Sequence, residues 1–120
     1  MTLRRKAQGR KGEEEAARYL AGQGYCLLER NFRCPHGEMD IIALDGRTLV
    51  FVEVRSRATD NFGLPQESVG RQKQARLRRV ARYYLAASGG HHGPVRFDVL
   101  AIKYGLNGRV EFLEHIKNAF

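Results

Sequence analysis

No stretch of this chain approaches ~20 consecutive apolar residues, so no segment is expected to cross a membrane as a helix. The basic start, Met1-Thr2-Leu3-Arg4-Arg5-Lys6, runs into Gln8, Arg10, Lys11 and three glutamates, with no apolar stretch. A secretory signal is therefore not expected. Cysteine is scarce. Cys26 and Cys34 read as free thiols in a reducing cytoplasm, because a compact chain of this size needs no staple. Repeats, low-complexity runs and linkers are absent, so the 120 residues are expected to form one domain, 1–120. The glycines form neither GxGxxG nor a phosphate loop, which leaves no support for a small-molecule cofactor. Cys26, Cys34, His36, His91 and His92 fit no structural zinc spacing, and His91-His92 reads as an exposed turn.

Acid is also in short supply. Thirteen Asp+Glu against 21 Lys+Arg give a net charge of +8, while the 42% hydrophobic content is ordinary for a folded domain. A basic domain of this kind implies a polyanionic partner: nucleic acid first, an anionic membrane surface second. The shortage is local. Residues 1–11 hold five cations and no acid, and residues 71–82 hold Arg71, Lys73, Arg76, Arg78, Arg79 and Arg82 with none.

What is present reads as helix, three strands, helix, two strands, an α/β or α+β order with a mixed sheet flanked by helices. The first helix is expected over 12–23, with Glu13, Glu14 and Glu15 in its first turn to suit the helix dipole. A short strand follows over 26–32. Strands over 38–44 and 48–57 meet at Asp45-Gly46, a strong hairpin signal. Residues 60–66 read as a loop, 66–87 as the second helix, and 95–102 and 109–113 as the last strands.

Three acids sit where acids are costly. At about 100° per residue, Glu13 falls between Ala17 and Leu20, inside the apolar stripe of its helix. A first-turn position fraying into solvent is the plain alternative. A two-residue turn at Asp45-Gly46 pairs Leu44 with Arg47. Asp40 then opposes Phe51, and Glu38 opposes Glu53. Period-two alternation puts Glu38, Asp40, Phe51, Glu53 and Arg55 on one face, with Met39, Ile41, Val50, Val52 and Val54 on the core face. Asp40 and Glu53 become diagonal neighbours, able to share one cation. A solvated face salt-bridged by Arg55 or Arg57 is the plain alternative. Hard oxygen ligands with open positions suit Mg²⁺ or Mn²⁺.

The pattern Gly37-Glu38-Met39-Asp40-Ile41-Ile42, then Val50-Phe51-Val52-Glu53-Val54-Arg55-Ser56-Arg57, resembles the active-site hairpin of PD-(D/E)xK nucleases. More closely, the chain resembles the YraN family of bacterial proteins, which look like distant relatives of archaeal Holliday-junction resolvases. The likeness extends through Gly12-Glu13, Tyr19-Leu20, Gly24-Tyr25, Arg30-Asn31, Phe62-Gly63 with Pro65, Lys73, Tyr84-Leu85, Arg96-Phe97-Asp98-Val99 and the ending His115-Ile116-Lys117-Asn118-Ala119-Phe120. The resemblance implies a restriction-endonuclease-like core. It makes Asp40 and Glu53 the metal-binding acids and Glu13 the helix glutamate of the resolvase-like branch. Arg55 stands where that superfamily has a catalytic lysine. An arginine stays protonated, so it can hold a phosphate but is a poor proton acceptor. Lys73 lies along the apolar stripe of the second helix with Leu77 and Val80. It either snorkels at the edge of that face or brings the missing ammonium to the site.

The expected function is a Mg²⁺- or Mn²⁺-dependent endonuclease. Glu13, Asp40 and Glu53 would bind the ion, and Arg55 and Lys73 would face the scissile phosphate. Arg10, Lys11, Arg71, Arg76, Arg78 and Arg79 would neutralise flanking phosphates. DNA is favoured over RNA, and a homodimer is left open. The alternative is a catalytically degenerate nuclease-fold module that only binds nucleic acid.

Overall fold

The computed structural model describes residues 3–57 and 69–120, with side chains described from Lys11 onward. The element order is α1 (Leu3–Gly22), β1 (Cys26–Cys34), β2 (Gly37–Asp45), β3 (Thr48–Arg57), α2 (Arg71–Ala87), β4 (Val95–Tyr104) and β5 (Val110–Ile116). The five strands form one sheet in sequence order. β3 and β4 are parallel, joined by the crossover that contains α2, and every other neighbour pair is antiparallel. The result is an α+β protein, compatible with the core that the hairpin motif implies. No helix among the described residues is long and apolar enough to cross a membrane.

Both sheet faces are covered, and this corrects the reading of a single core face. On one side, Ala16, Ala17 and Leu20 of α1 pack on Ile41, Ala43, Val50, Val52, Leu100 and Ile102. On the other, Leu77, Val80 and Ala81 of α2 pack on Met39, Ile42, Leu49, Phe51 and Val99. The unbroken apolar run Leu49-Val50-Phe51-Val52 is what a strand buried on both faces requires. Met39 therefore belongs with the α2 layer rather than with Ile41.

The hairpin register also differs from expectation. Asp45 pairs with Thr48, Leu44 with Leu49 and Ile42 with Phe51. Gly46 occupies the first central turn position, with φ 60°, and Arg47 the second. Glycine is the cheapest residue for that left-handed position. The slip is two residues, which by itself preserves alternation; β2 breaks it separately between Met39 and Ile41, which sit in opposite layers. The slip's consequence is large for the acids. The ladder ends at Ile41–Val52, and the next residue, Asp40, accepts the Val54 N–H at 2.8 Å. Asp40 thus comes level with Glu53, and Glu38 does not oppose it.

α1 starts nine residues earlier than its apolar stripe suggested. Glu13 is consequently well inside the helix, so both the dipole argument and the fraying alternative fall away. α2 begins at Arg71, after Gly70 in extended conformation. β1 runs on to Cys34, and β5 spans Val110–Ile116 rather than 109–113. The loop expected over 60–66 lies outside the described residues. Cys26 and Cys34 are unpaired with each other or any other cysteine.

On the α1 face of the sheet lies a polar network that sequence reading did not single out. Asp98 on β4 is fully buried. It accepts bonds from Arg96 Nε (2.8 Å), Arg96 Nη2 (3.0 Å), His115 Nε2 (2.7 Å) and the Asn118 N–H (3.0 Å). Arg96 continues to Asp45 (3.2 Å) and to the Tyr25 hydroxyl (2.8 Å). The network ties β2, β4, β5 and the C-terminal residues together.

Candidate metal and phosphate site

The acids gather where the β2–β3 ladder ends, just beyond the Ile41–Val52 pair. Gly12 packs so closely on β3 that a Cβ there would lie 2.9 Å from the Ser56 Cβ. That contact brings the next residue, Glu13, over the start of β2. One carboxylate oxygen each from Glu13, Glu38 and Asp40 lies within 4.8 Å of the other two. Glu53 is buried beside Asp40, and Lys73 Nζ is 3.2 Å from its Oε1. Gly37, Glu38, Asp40, Glu53, Lys73, Arg76 and Leu77 line a cleft of about 340 Å³.

The electrostatics follow from this crowding. Burial first, then the neighbouring Glu53 carboxylate, pushes Asp40 up to about 8, against the pull of the Val54 N–H. Glu13 is also raised by burial, while a hydrogen bond from the Asn31 side chain and the charges of Arg30 and Arg33 act to lower it. Arg33 Nε is 3.4 Å from Glu38. Four carboxyl groups therefore meet with too little fixed positive charge. The donors are all hard oxygens, which fits Mg²⁺ or Mn²⁺ better than a thiophilic metal.

The structure thus brings together Glu13, Asp40, Glu53 and Lys73. It also adds two residues that sequence reading left out of the site. Glu38 is expected on the same face as Asp40 and Glu53, two residues before Asp40, but is not in the expected ligand set. Asn31 is on β1 with φ 55°, a left-handed conformation that asparagine tolerates better than most residues. Arg55 lies two residues beyond Glu53, and its Nε is buried with no hydrogen-bond partner among the described residues.

Two expected phosphate ligands are engaged elsewhere. Lys11 reaches the Gly108 carbonyl and lies over the Tyr104 ring, 4.7 Å from its centroid. Arg78 lies over Phe97 and Phe120, at 5.6 and 5.4 Å. Both are anchors in this arrangement. The Arg10 side chain lies outside the described residues. Arg71, Arg76 and Arg79 remain exposed on α2. Replacing Arg78 with alanine is expected to cost about 1 kcal/mol of stability through the lost cation–π contact. Urea denaturation measures that loss, and nucleic-acid affinity should not change.

The Glu53–Lys73 pair gives a sharper expectation. Lys73→Met leaves a buried carboxylate beside other acids, and should destabilise the fold by about 2 kcal/mol. Adding Glu53→Gln should recover most of that loss in a double-mutant cycle of urea midpoints. Additive losses would mean that the two groups do not interact.

Fold and site together define a small α+β protein with a carboxylate cluster at the end of a mixed sheet, facing cations on α2. The chain belongs to the uncharacterised protein family UPF0102, whose family model matches residues 12–102. It is 50% identical over 120 residues to a UPF0102 protein of Moorella thermoacetica, covering all of both chains. A UPF0102 protein of Pelotomaculum thermopropionicum is 49% identical over 116 residues, 97% of each chain. One from Desulforamulus reducens is 47% identical over 121 aligned residues, 99% of each.

Proposed function

We propose that this protein is a divalent-metal-dependent endonuclease that hydrolyses phosphodiester bonds, in DNA rather than RNA, with branched DNA among its substrates. One observation carries the reading: three carboxylate oxygens within 4.8 Å of each other, beside the buried Glu53–Lys73 pair in an arginine-rimmed cleft. Glu13, Glu38, Asp40 and Glu53 would hold Mg²⁺ or Mn²⁺. When bound, the ion would polarise a phosphoryl oxygen and make a water more acidic. The chain's own groups supply the rest. Lys73 pairs with Glu53 and presents a cation on the inner wall of the cleft. Arg76 offers its planar fork to a phosphate oxygen at the rim. Arg55 stays protonated, so its part is to hold charge rather than to take a proton.

A nucleic-acid-binding module with a degenerate site is the second reading, and it rests on Arg55 at the superfamily's lysine position. The ammonium of Lys73, reaching Glu53 from α2, supports the active reading instead. Incubating the protein with duplex, single-stranded and branched DNA, in Mn²⁺ or in EDTA, separates the two. Cleavage should require Mn²⁺ and vanish in Asp40→Ala/Glu53→Ala. Equal cleavage by wild type and the double variant would point to contamination and leave the binding module.

A further inference from the structure

The cations of α2 are not all spent on the acid cleft. Helix α2 carries six, and no acid between Arg71 and Ala87. Lys73 serves Glu53, and Arg78 covers Phe97 and Phe120. Arg76 and Arg79 meet Gln72 and Ala75 in a second concavity of about 390 Å³. Arg76 lines both concavities, so they adjoin at that residue.

Tyr83 continues the same line. Its residue is 42% exposed, and it stands outside both core clusters. Its ring lies against the β1–β2 turn, 6.1 Å from the exposed His36 ring and 6.4 Å from Phe32. At about 100° per residue, Gln72, Arg76, Arg79 and Tyr83 fall within roughly 60° of one another, on a stripe roughly 16 Å long. The core residues Leu77, Val80 and Ala81 occupy a different stripe.

The order of groups along that stripe is guanidinium, guanidinium, aromatic. A polynucleotide strand offers the complement, anionic phosphates alternating with flat π faces. An acidic peptide would match the arginines but has no use for an adjoining cleft full of carboxylates. A paired base inside a duplex keeps both its faces stacked, so an exposed tyrosine can stack only on an unpaired or terminal base.

We propose that Arg76, Arg79 and Tyr83, with His36 beside it, form a track for one unpaired DNA strand leading to the acid cleft. Phosphates lie against the two arginines, and a base stacks on Tyr83. The proposal rests on the reading of that cleft as a phosphodiester site, and it adds which strand geometry enters it.

Fluorescence anisotropy with a labelled oligo-dT, and competition by a closed circular duplex that has no ends, tests the track, using the whole protein in EDTA. Tyr83→Ala should weaken oligo-dT binding by about five-fold or more, and leave duplex binding unchanged. Tyr83→Phe keeps the ring and should bind like wild type. Arg79→Ala should flatten the plot of log K against log salt by about 0.7, one single-strand phosphate. Unchanged oligo-dT affinity in Tyr83→Ala, or equal losses on both DNAs, overturns the track. EDTA keeps this separate from the chemistry. If Tyr83 governs binding while the wild type cuts nothing in Mn²⁺, the track stands and the nuclease reading falls. If cleavage stands and Tyr83→Ala binds normally, the track falls alone.

Discussion

Replacing Asp40 with asparagine is expected to abolish Mn²⁺-dependent cleavage while making the metal-free protein more stable. Activity should fall on the order of 10³-fold, the scale of losing a group that acts on transition-state charge. Stability should move the other way because Asp40 is crowded by burial and by Glu53. Its pKa rises from the ordinary carboxylate value of 3.8 to about 8 on folding. Between those pH values the native chain holds a proton that the unfolded chain has lost. Stability contributed by this group therefore falls as pH rises through that window, and is flat above it. Asparagine keeps an acceptor for the Val54 N–H and carries no charge. At pH 8 the variant should gain roughly 2 kcal/mol, or roughly 8 °C in melting temperature. At pH 4 the gain should vanish. A thermal melt in EDTA at both pH values reads this directly. Mn²⁺ should then raise the melting temperature of wild type and not of the variant.

Asp98→Ala is expected to be the most destabilising single change in the molecule. Four hydrogen bonds converge on a carboxylate with no exposure to solvent. Burial acts to raise its proton affinity, but the bonds from His115, Arg96 and the Asn118 N–H outweigh burial and hold it below the usual carboxylate range. Removing it strands the Arg96 guanidinium and the His115 ring beside an empty space. Breaking a buried pair of this kind costs about 3–5 kcal/mol, much of a small domain's total margin. The C-terminal residues should loosen as well. Ala119 N–H donates to Phe97 O, and Phe120 stacks on Phe97 at 5.1 Å, just beyond Asn118. Urea denaturation and limited proteolysis of the C-terminus measure the two effects. Because the Asp98 pKa is depressed, its stabilisation is present above about pH 4 and is lost as pH falls further. A midpoint within experimental error of wild type would show that the network contributes nothing.

Much of the site was legible because acids and lysines are costly on apolar stripes. Glu13 between Ala17 and Leu20, and Lys73 in line with Leu77 and Val80, stood out for that reason alone. The structure puts each beside another charged group of the cleft. Glu38 was legible on the face of Asp40 and Glu53, but the hairpin that the chain resembles assigns it no role. The turn is Gly46-Arg47 rather than Asp45-Gly46, and the slip of two residues brings Asp40 level with Glu53 in place of Phe51. The break of alternation in β2, with Met39 and Ile41 in opposite layers, has no sign in the sequence pattern. The start of α1 was illegible, since residues 3–11 carry no apolar stripe to betray a helix. The Asp98 network was illegible too. Its members come from α1, β2, β4 and β5, and no local pattern announces such a meeting.

The excess of cations also resolves into separate tasks. Lys11 and Arg78 hold the fold, Lys73 balances Glu53, and Arg96 serves Asp98. Arg71, Arg76 and Arg79 stay exposed on α2.

The proposed chemistry requires the carboxylate cluster to be a cation site. Electron paramagnetic resonance of Mn²⁺ titrated into the protein at pH 8 tests it most directly, because bound and free Mn²⁺ give different signals. Wild type should bind Mn²⁺ saturably, and that binding should be lost in Asp40→Asn, competed by Mg²⁺, and weakened as pH falls and Asp40 takes up its proton. Saturable binding that survives unchanged in Asp40→Asn, or no binding to wild type at millimolar Mn²⁺, would contradict it.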